Sequence, residues 1–90
     1  MKIVVMCGLG LGTSEILRVN AERALERLDI EAEVLATDVA GVQSAARDAQ
    51  VILTSSELVN AIGRTNADVI VIDNFFDVDE VASKLQIALG

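Results

Sequence analysis

The order of apolar segments along the chain predicts an α/β fold: a single three-layer domain over residues 1–90, with a four-stranded parallel sheet and helices on both faces. Two observations predict it. Three short runs of aliphatic, largely β-branched residues, at 3–6, 51–53 and 69–72, are continuous rather than alternating, which is how strands covered on both faces of a parallel sheet read. Segments with apolar residues at helical spacing separate them, and strand–helix alternation implies right-handed crossovers and parallel strands.

The elements follow in order. Ile3-Val4-Val5-Met6 is the first strand. Leu17, Ala21, Ala24, Leu25 and Leu28 then form one face of an amphipathic helix, with Arg18, Glu22, Arg23, Glu26 and Arg27 on the other. Residues 32–36 form a more polar strand whose acidic lead-in predicts a sheet edge. A short helix is expected over 39–46, with Asp38 as its cap. After the strand at 51–53, Ser55-Ser56 is set to cap a helix through Leu58, Val59 and Ile62, which Gly63 closes. The strand at 69–72 is followed by a last helix with Val78, Val81, Ala82, Leu85 and Leu89 on one face, started by Asp77 or Asp79.

Composition excludes several functions. The chain has 90 residues, 7 Lys+Arg against 14 Asp+Glu and a net charge of −7, and its aromatic residues are Phe75 and Phe76. Nucleic acid is therefore not an expected partner, because it requires cations along phosphates and aromatics for stacking. The sequence has no histidine and one cysteine, so neither a structural zinc site nor a histidine base is expected from this chain alone, and no metal or cofactor is called for. Hydrophobic residues make up 52% of the sequence and proline is absent, which argues for a folded globule. The apolar run before Cys7 is too short for a secretory leader, and no stretch reaches the roughly 20 apolar residues of a membrane span. The expectation is a cytoplasmic protein with no direct membrane insertion.

In a doubly wound sheet, ligands bind beyond the carboxyl ends of the strands, and the helix start after the first strand is the favoured place. That place holds Cys7-Gly8-Leu9-Gly10-Leu11-Gly12-Thr13-Ser14. Alternating glycines allow positive φ and let successive N–H groups converge on a small anion. Thr13 or Ser14 is expected to cap the following helix, whose N-terminus adds roughly half a positive charge at the same point. Cys7 stands at the rim, where such surroundings lower a thiol pKa and favour the nucleophilic thiolate. A lone cysteine is otherwise often a small core residue; the loop that follows turns the reading toward reactivity.

Other glycine-loop chemistries fit less well. A nucleotide-hydrolase phosphate loop needs Lys where Thr13 stands, and a dinucleotide fingerprint needs Gly at Thr13 or at Glu15, depending on its start. A cysteine phosphatase or an arsenate-reductase-like enzyme needs an Arg at the sixth position after the cysteine to clamp the phosphoryl group, and Thr13 occupies it. A loop without that cation can hold a phosphoryl group on amides yet lacks the charge that would stabilise attack by water. The remaining alternative is a non-catalytic anion-binding regulatory module in which Cys7 is never phosphorylated.

These residues carry a resemblance. The run from Cys7 to Ser14, directly after a short first strand, resembles the phosphocysteine loop of the IIB components of the bacterial sugar phosphotransferase system. It is most similar to the ascorbate type, with the galactitol and lactose/cellobiose types close behind. Ala49-Gln50-Val51-Ile52-Leu53-Thr54-Ser55-Ser56 and Val71-Ile72-Asp73-Asn74 resemble the third strand and closing segment of the same family. The resemblance implies a Rossmann-like arrangement similar to the low-molecular-weight phosphatase fold.

It further implies a phosphotransferase relay without a cofactor. A phosphohistidine of a IIA protein passes its phosphoryl group to Cys7, which passes it to an ascorbate- or galactitol-like sugar held by the membrane IIC component. Cys7 is then the nucleophile, and the amides of Gly8, Leu9, Gly10, Leu11, Gly12, Thr13 and Ser14 hold the phosphoryl oxygens. Glu15 is a departure, since a carboxylate in the first helical turn opposes a bound dianion. Leu9 and Leu11 are apolar where a loop tip is usually polar, as partner contacts or core anchors. Ser55 and Ser56 are read as caps before phosphoryl contacts. Asp73 and Asn74 end the next strand, and the Phe pair is read as core before docking face.

Overall fold

The computed structural model describes residues 1–6 and 11–89. Its strands are β1 (Lys2–Met6), β2 (Glu33–Thr37), β3 (Val51–Thr54) and β4 (Asp68–Val71); its helices are α1 (Leu11–Arg27), α2 (Val42–Ala45) and α3 (Val78–Leu89). The sheet is wholly parallel, in the order β2-β1-β3-β4.

Strand alternation divides the interior into two cores. Ile3 and Val5 of β1 and Val51 and Leu53 of β3 face Leu17, Ala21, Ala24 and Leu25 of α1 and Val81, Ala82 and Leu85 of α3. Val4, Met6 and Ile52 point the other way, against Val42, Ala46, Ala49, Ile62 and Ala67. The two longest helices thus cover one face and the shorter connections the other. Both predicted helical stripes are the buried ones, because an amphipathic helix must place its apolar face on the sheet.

Several expectations need correction. The run at 69–72 is not a doubly covered central strand: β4 pairs with β3 alone in the described sheet, and Val69, Ile70 and Val71 are only half-buried. Pairing across the sheet, not apolarity, decides which strand lies at an edge. The helix expected at 58–63 is a single 3-10 turn at Val59–Ala61, closed by i,i+3 bonds such as Ala61 N–H to the Leu58 carbonyl at 2.9 Å. Asn60 and Gly63 are weak helix formers, and so short a segment gains too little from propagation to offset nucleation. Gly63 does take the positive φ expected of a closing residue, at 77°.

Asp38 does not cap α2, which starts only at Val42. Its Oδ1 accepts from Gly41 N–H at 2.9 Å, so it ties down the turn that leads into the helix. At α3 the expectation resolves to Asp77, whose Oδ1 accepts from Glu80 N–H at 3.2 Å, an N-cap bond to the third helical residue. Among the described residues no helix is long and apolar enough to cross a membrane.

Candidate functional site

The register of the sheet sets out the carboxyl edge. Met6 pairs with Thr37, Val5 with Leu53, and Thr54 with Val71, so the four strands end in the row Thr37, Met6, Thr54, Val71. From β1 the chain passes through α1 to β2 on one side. From β2 it returns across to β3 on the other, so the strand order reverses between β1 and β3. A crevice opens at such a reversal, because the loops that leave the two adjacent strands diverge to opposite faces.

The chain leaves β1 at that reversal. Cys7, Gly8, Leu9 and Gly10 lie outside the described residues, and so do the roles expected of their side chains and of the amides of residues 8–10. The backbone resumes in α1 at Leu11, which corrects the capping expectation: Thr13 and Ser14 lie within the first turn, not before it. Ser and Thr are tolerated there because the first N–H groups of a helix have no intrahelical acceptor in any case. Those free N–H groups belong to the start of a 17-residue helix, whose partial positive charge favours an anion at this end.

Glu15 stands one residue beyond the first turn, so the first turn itself is free of acidic residues. Its carboxylate meets both Arg18 Nη2, at 2.6 Å, and Arg18 Nε, at 3.2 Å, while Arg18 Nη1 reaches Glu22 at 2.6 Å. The hydrogen bond from Arg18, reinforced by its charge, holds the Glu15 carboxyl below its ordinary value. The same bond to Glu15 holds the Arg18 guanidinium above its own. The negative charge of Glu15 is therefore paired locally with a cation one turn along.

The loop after β4 is braced at the same edge. Glu80 accepts from the N–H groups of Asp73 and Asn74 at 2.7 and 2.9 Å, and from Lys84 Nζ at 2.7 Å. Lys84 Nζ also donates to the Val71 carbonyl at 2.6 Å. Burial pushes the Glu80 carboxyl up, but the bonds from Lys84 and the two main-chain N–H groups outweigh it and hold the group below the ordinary carboxylate value. The bond to Glu80 holds the Lys84 ammonium above its own ordinary value against desolvation, with the Glu80 and Asp73 charges helping.

The two phenylalanines divide. Phe75 packs on the α1–α3 core, whereas Phe76 is 71% exposed, so the core reading holds for the first and not for the second. Ser56 is exposed and Ser55 half-buried beside the end of β3. Ser55 serves its turn through its carbonyl, which accepts from Leu58 N–H at 3.1 Å. Sequence reasoning missed the Glu80 clamp, although Asp77-Val78-Asp79-Glu80 has the spacing of a capping box. It also missed Thr54, a fully buried threonine at the end of β3, for which an apolar strand offers no signal. Among the described residues no three His, Cys, Asp or Glu side chains come together to hold a metal ion.

Comparison with known families bears on this geometry. The family model of the PTS system lactose/cellobiose-specific IIB subunit matches residues 2–87. The chain belongs to this family. The IIB match spans every strand and helix of the fold apart from the last residues of α3. It therefore covers the β1–α1 junction and the carboxyl edge together. Among curated proteins, the ascorbate-specific PTS system EIIB component of Mycoplasma pneumoniae is 24% identical over 86 residues, covering 94% of this chain and 90% of that protein. IIB components of this system are phosphotransferases of sugar transport, so the phosphoryl-transfer class of the chain follows from its family.

Proposed function

We propose that this IIB protein carries a phosphoryl group on Cys7 between a IIA donor and a sugar bound by the membrane IIC component. The observation that supports it best is the position of Cys7. The single cysteine of the chain directly follows Met6, at the reversal of strand order, and stands four residues ahead of the free N–H groups of α1. A thiol beside a helix N-terminus ionises more readily and is the stronger candidate nucleophile for it.

In the first half of the relay, the Cys7 thiolate attacks the phosphorus of a IIA phosphohistidine. The P–S bond forms as the P–N bond breaks, and the released imidazole nitrogen takes a proton. In the second half, a sugar hydroxyl attacks the same phosphorus, its proton passes to a base, and Cys7 leaves as thiolate. The amides of residues 8–14 neutralise the phosphoryl oxygens in both halves. The donor histidine comes from the partner, since this sequence has none. An ascorbate- or galactitol-like sugar is the proposed cargo, in keeping with the ascorbate-specific relative.

The test is incubation with phosphoenolpyruvate, the two general phosphotransferase proteins and a cognate IIA, followed by intact mass. One phosphoryl group should appear on the wild type and none on Cys7→Ser, because a serine hydroxyl does not ionise in the working range. Equal modification of the serine variant would remove Cys7 from its role.

A further inference from the structure

Phe76 is 71% exposed, yet it stands on a loop whose main chain is hydrogen-bonded at every residue from 73 to 77. The Asp73 and Asn74 N–H groups donate to Glu80, the Phe75 carbonyl accepts from Asn20, and Phe76 N–H donates to Asn74 Oδ1 at 3.0 Å. Asp77 N–H donates to the Asn74 carbonyl, also at 3.0 Å. A ring left mostly in water contributes little burial to the fold. Held on a fixed main chain, it is an aromatic anchor that loses little freedom when a partner covers it.

The ring has an acidic setting. The loops that leave β2, β3 and β4, residues 38–41, 55–58 and 72–77, carry Asp38, Glu57, Asp73 and Asp77, all exposed, and contain no Lys or Arg. Arg47 and Arg64 precede β3 and β4 and so stand at the opposite edge. Among the described residues Asp38, Glu57 and Asp77 form no ion pair, and Asp73 reaches Lys84 only at 3.7 Å. Strands lie about 4.8 Å apart, so the four-stranded row spreads these acids over about 15 Å, a span that one partner of standard interface size covers. Uncompensated charge of one sign on such a face selects and steers a partner of the other sign.

We propose that the loops at residues 38–41, 55–58 and 72–77 dock the protein on the cytoplasmic loops of the membrane IIC component, with Phe76 as apolar anchor and the four acids as a rim that meets Lys and Arg. The proposal rests on the reading of the chain as a carrier between IIA and IIC. Membrane proteins carry an excess of Lys and Arg in their cytoplasmic loops, so of the two partners IIC is the one whose charge this edge complements. Anionic headgroups repel the same edge, so lipid alone is not its occupant.

The test is co-sedimentation of the full chain with anionic vesicles holding a cognate IIC, against the same vesicles without it, at low and high salt. Phe76→Ala is expected to melt as wild type does, because its ring is mostly in water, and to weaken binding to IIC about tenfold or more. The double variant Glu57→Gln/Asp73→Asn should bind less tightly than wild type at low salt, and the difference should shrink at high salt, where screening removes it. If Phe76→Ala does not fold, the charge variant carries the test. Wild type that sediments equally with both kinds of vesicle would overturn the proposal, as would undiminished binding of Phe76→Ala or of the charge variant at low salt. A Phe76→Ala protein that kept its affinity for IIC but lost phosphoryl uptake from IIA would give this edge to the donor and overturn the proposal as well. Sedimentation needs no phosphoryl donor. A wild type that is never phosphorylated thus defeats the carrier reading while the docking comparison can still be read.

Discussion

Asn20, in the third turn of α1, donates from Nδ2 to the main-chain carbonyl of Phe75 at 2.6 Å. The two residues are 55 positions apart, and the bond fastens the loop after β4 to the helix that starts behind Cys7. Asn20 is itself buried. It is therefore a polar side chain admitted to the apolar face of a helix for the sake of one carbonyl.

Asn20→Ala leaves that carbonyl without its partner in a part-buried site. The expected loss is about 1–2 kcal/mol, and a domain of this size loses roughly 4–8 °C of melting temperature for each kcal/mol. Thermal unfolding at pH 7 checks the figure. Phosphoryl uptake by the folded variant should change less than its stability does, because the bond braces the edge of the site and not the loop itself. An unchanged melting temperature would mean that the Asn20–Phe75 bond contributes nothing.

Glu80 gives a pH signature. Its folded carboxyl titrates below the ordinary value, so the stability it supplies is complete above the unfolded value, about 4.3. That stability is lost as pH falls through the lower folded value. Lys84 behaves in the opposite sense: its ammonium is held above the ordinary value, so its contribution is intact below about 10.4 and disappears only as pH rises past the folded value. Glu80→Gln should lower the melting temperature at pH 7, by an amount corresponding to about 1–2 kcal/mol for a charge-assisted acceptor. The gap between variant and wild type should begin to narrow as pH falls below about 4.3 and close only once pH is below the lower folded value. A gap that did not narrow at all on acidification would show that shape, not charge, is what Glu80 supplies.

A carrier must resist water. Thr13 stands where a cysteine phosphatase keeps its arginine, so phosphorylated protein separated from its donor should persist and discharge when the sugar-loaded membrane component is added. Thr13→Arg should introduce slow hydrolysis of an aryl phosphate by supplying the cation that stabilises the transition state. The unmodified chain should remain far below ordinary enzyme rates of about 1 per second. Turnover of aryl phosphate by the wild type at such a rate would replace the carrier with a phosphatase.

The amino-acid sequence by itself determined the layered plan. The runs at 3–6 and 51–53 are too short and too evenly apolar to be anything but covered strands, and the stripes Leu17–Ala21–Ala24–Leu25 and Val81–Ala82–Leu85 are buried as their spacing requires. These features are local, since an unbroken apolar run and a 3.6-residue period are both written in consecutive residues.

Only the tertiary structure decided what depends on residues distant in the chain. It put β4 at an edge although its sequence is as apolar as that of β1, because edge or centre is a matter of which strand finds a partner. It began α1 at Leu11 rather than behind a Ser or Thr cap, and it turned Glu80 onto the N–H groups of Asp73 and Asn74 as well as onto Lys84 of its own helix. It also buried the Thr54 hydroxyl beside Met6, 48 residues away in sequence. Burial and hydrogen-bond satisfaction are properties of neighbours, and the neighbours of Thr54, Asn20 and Glu80 are brought together only when the sheet closes.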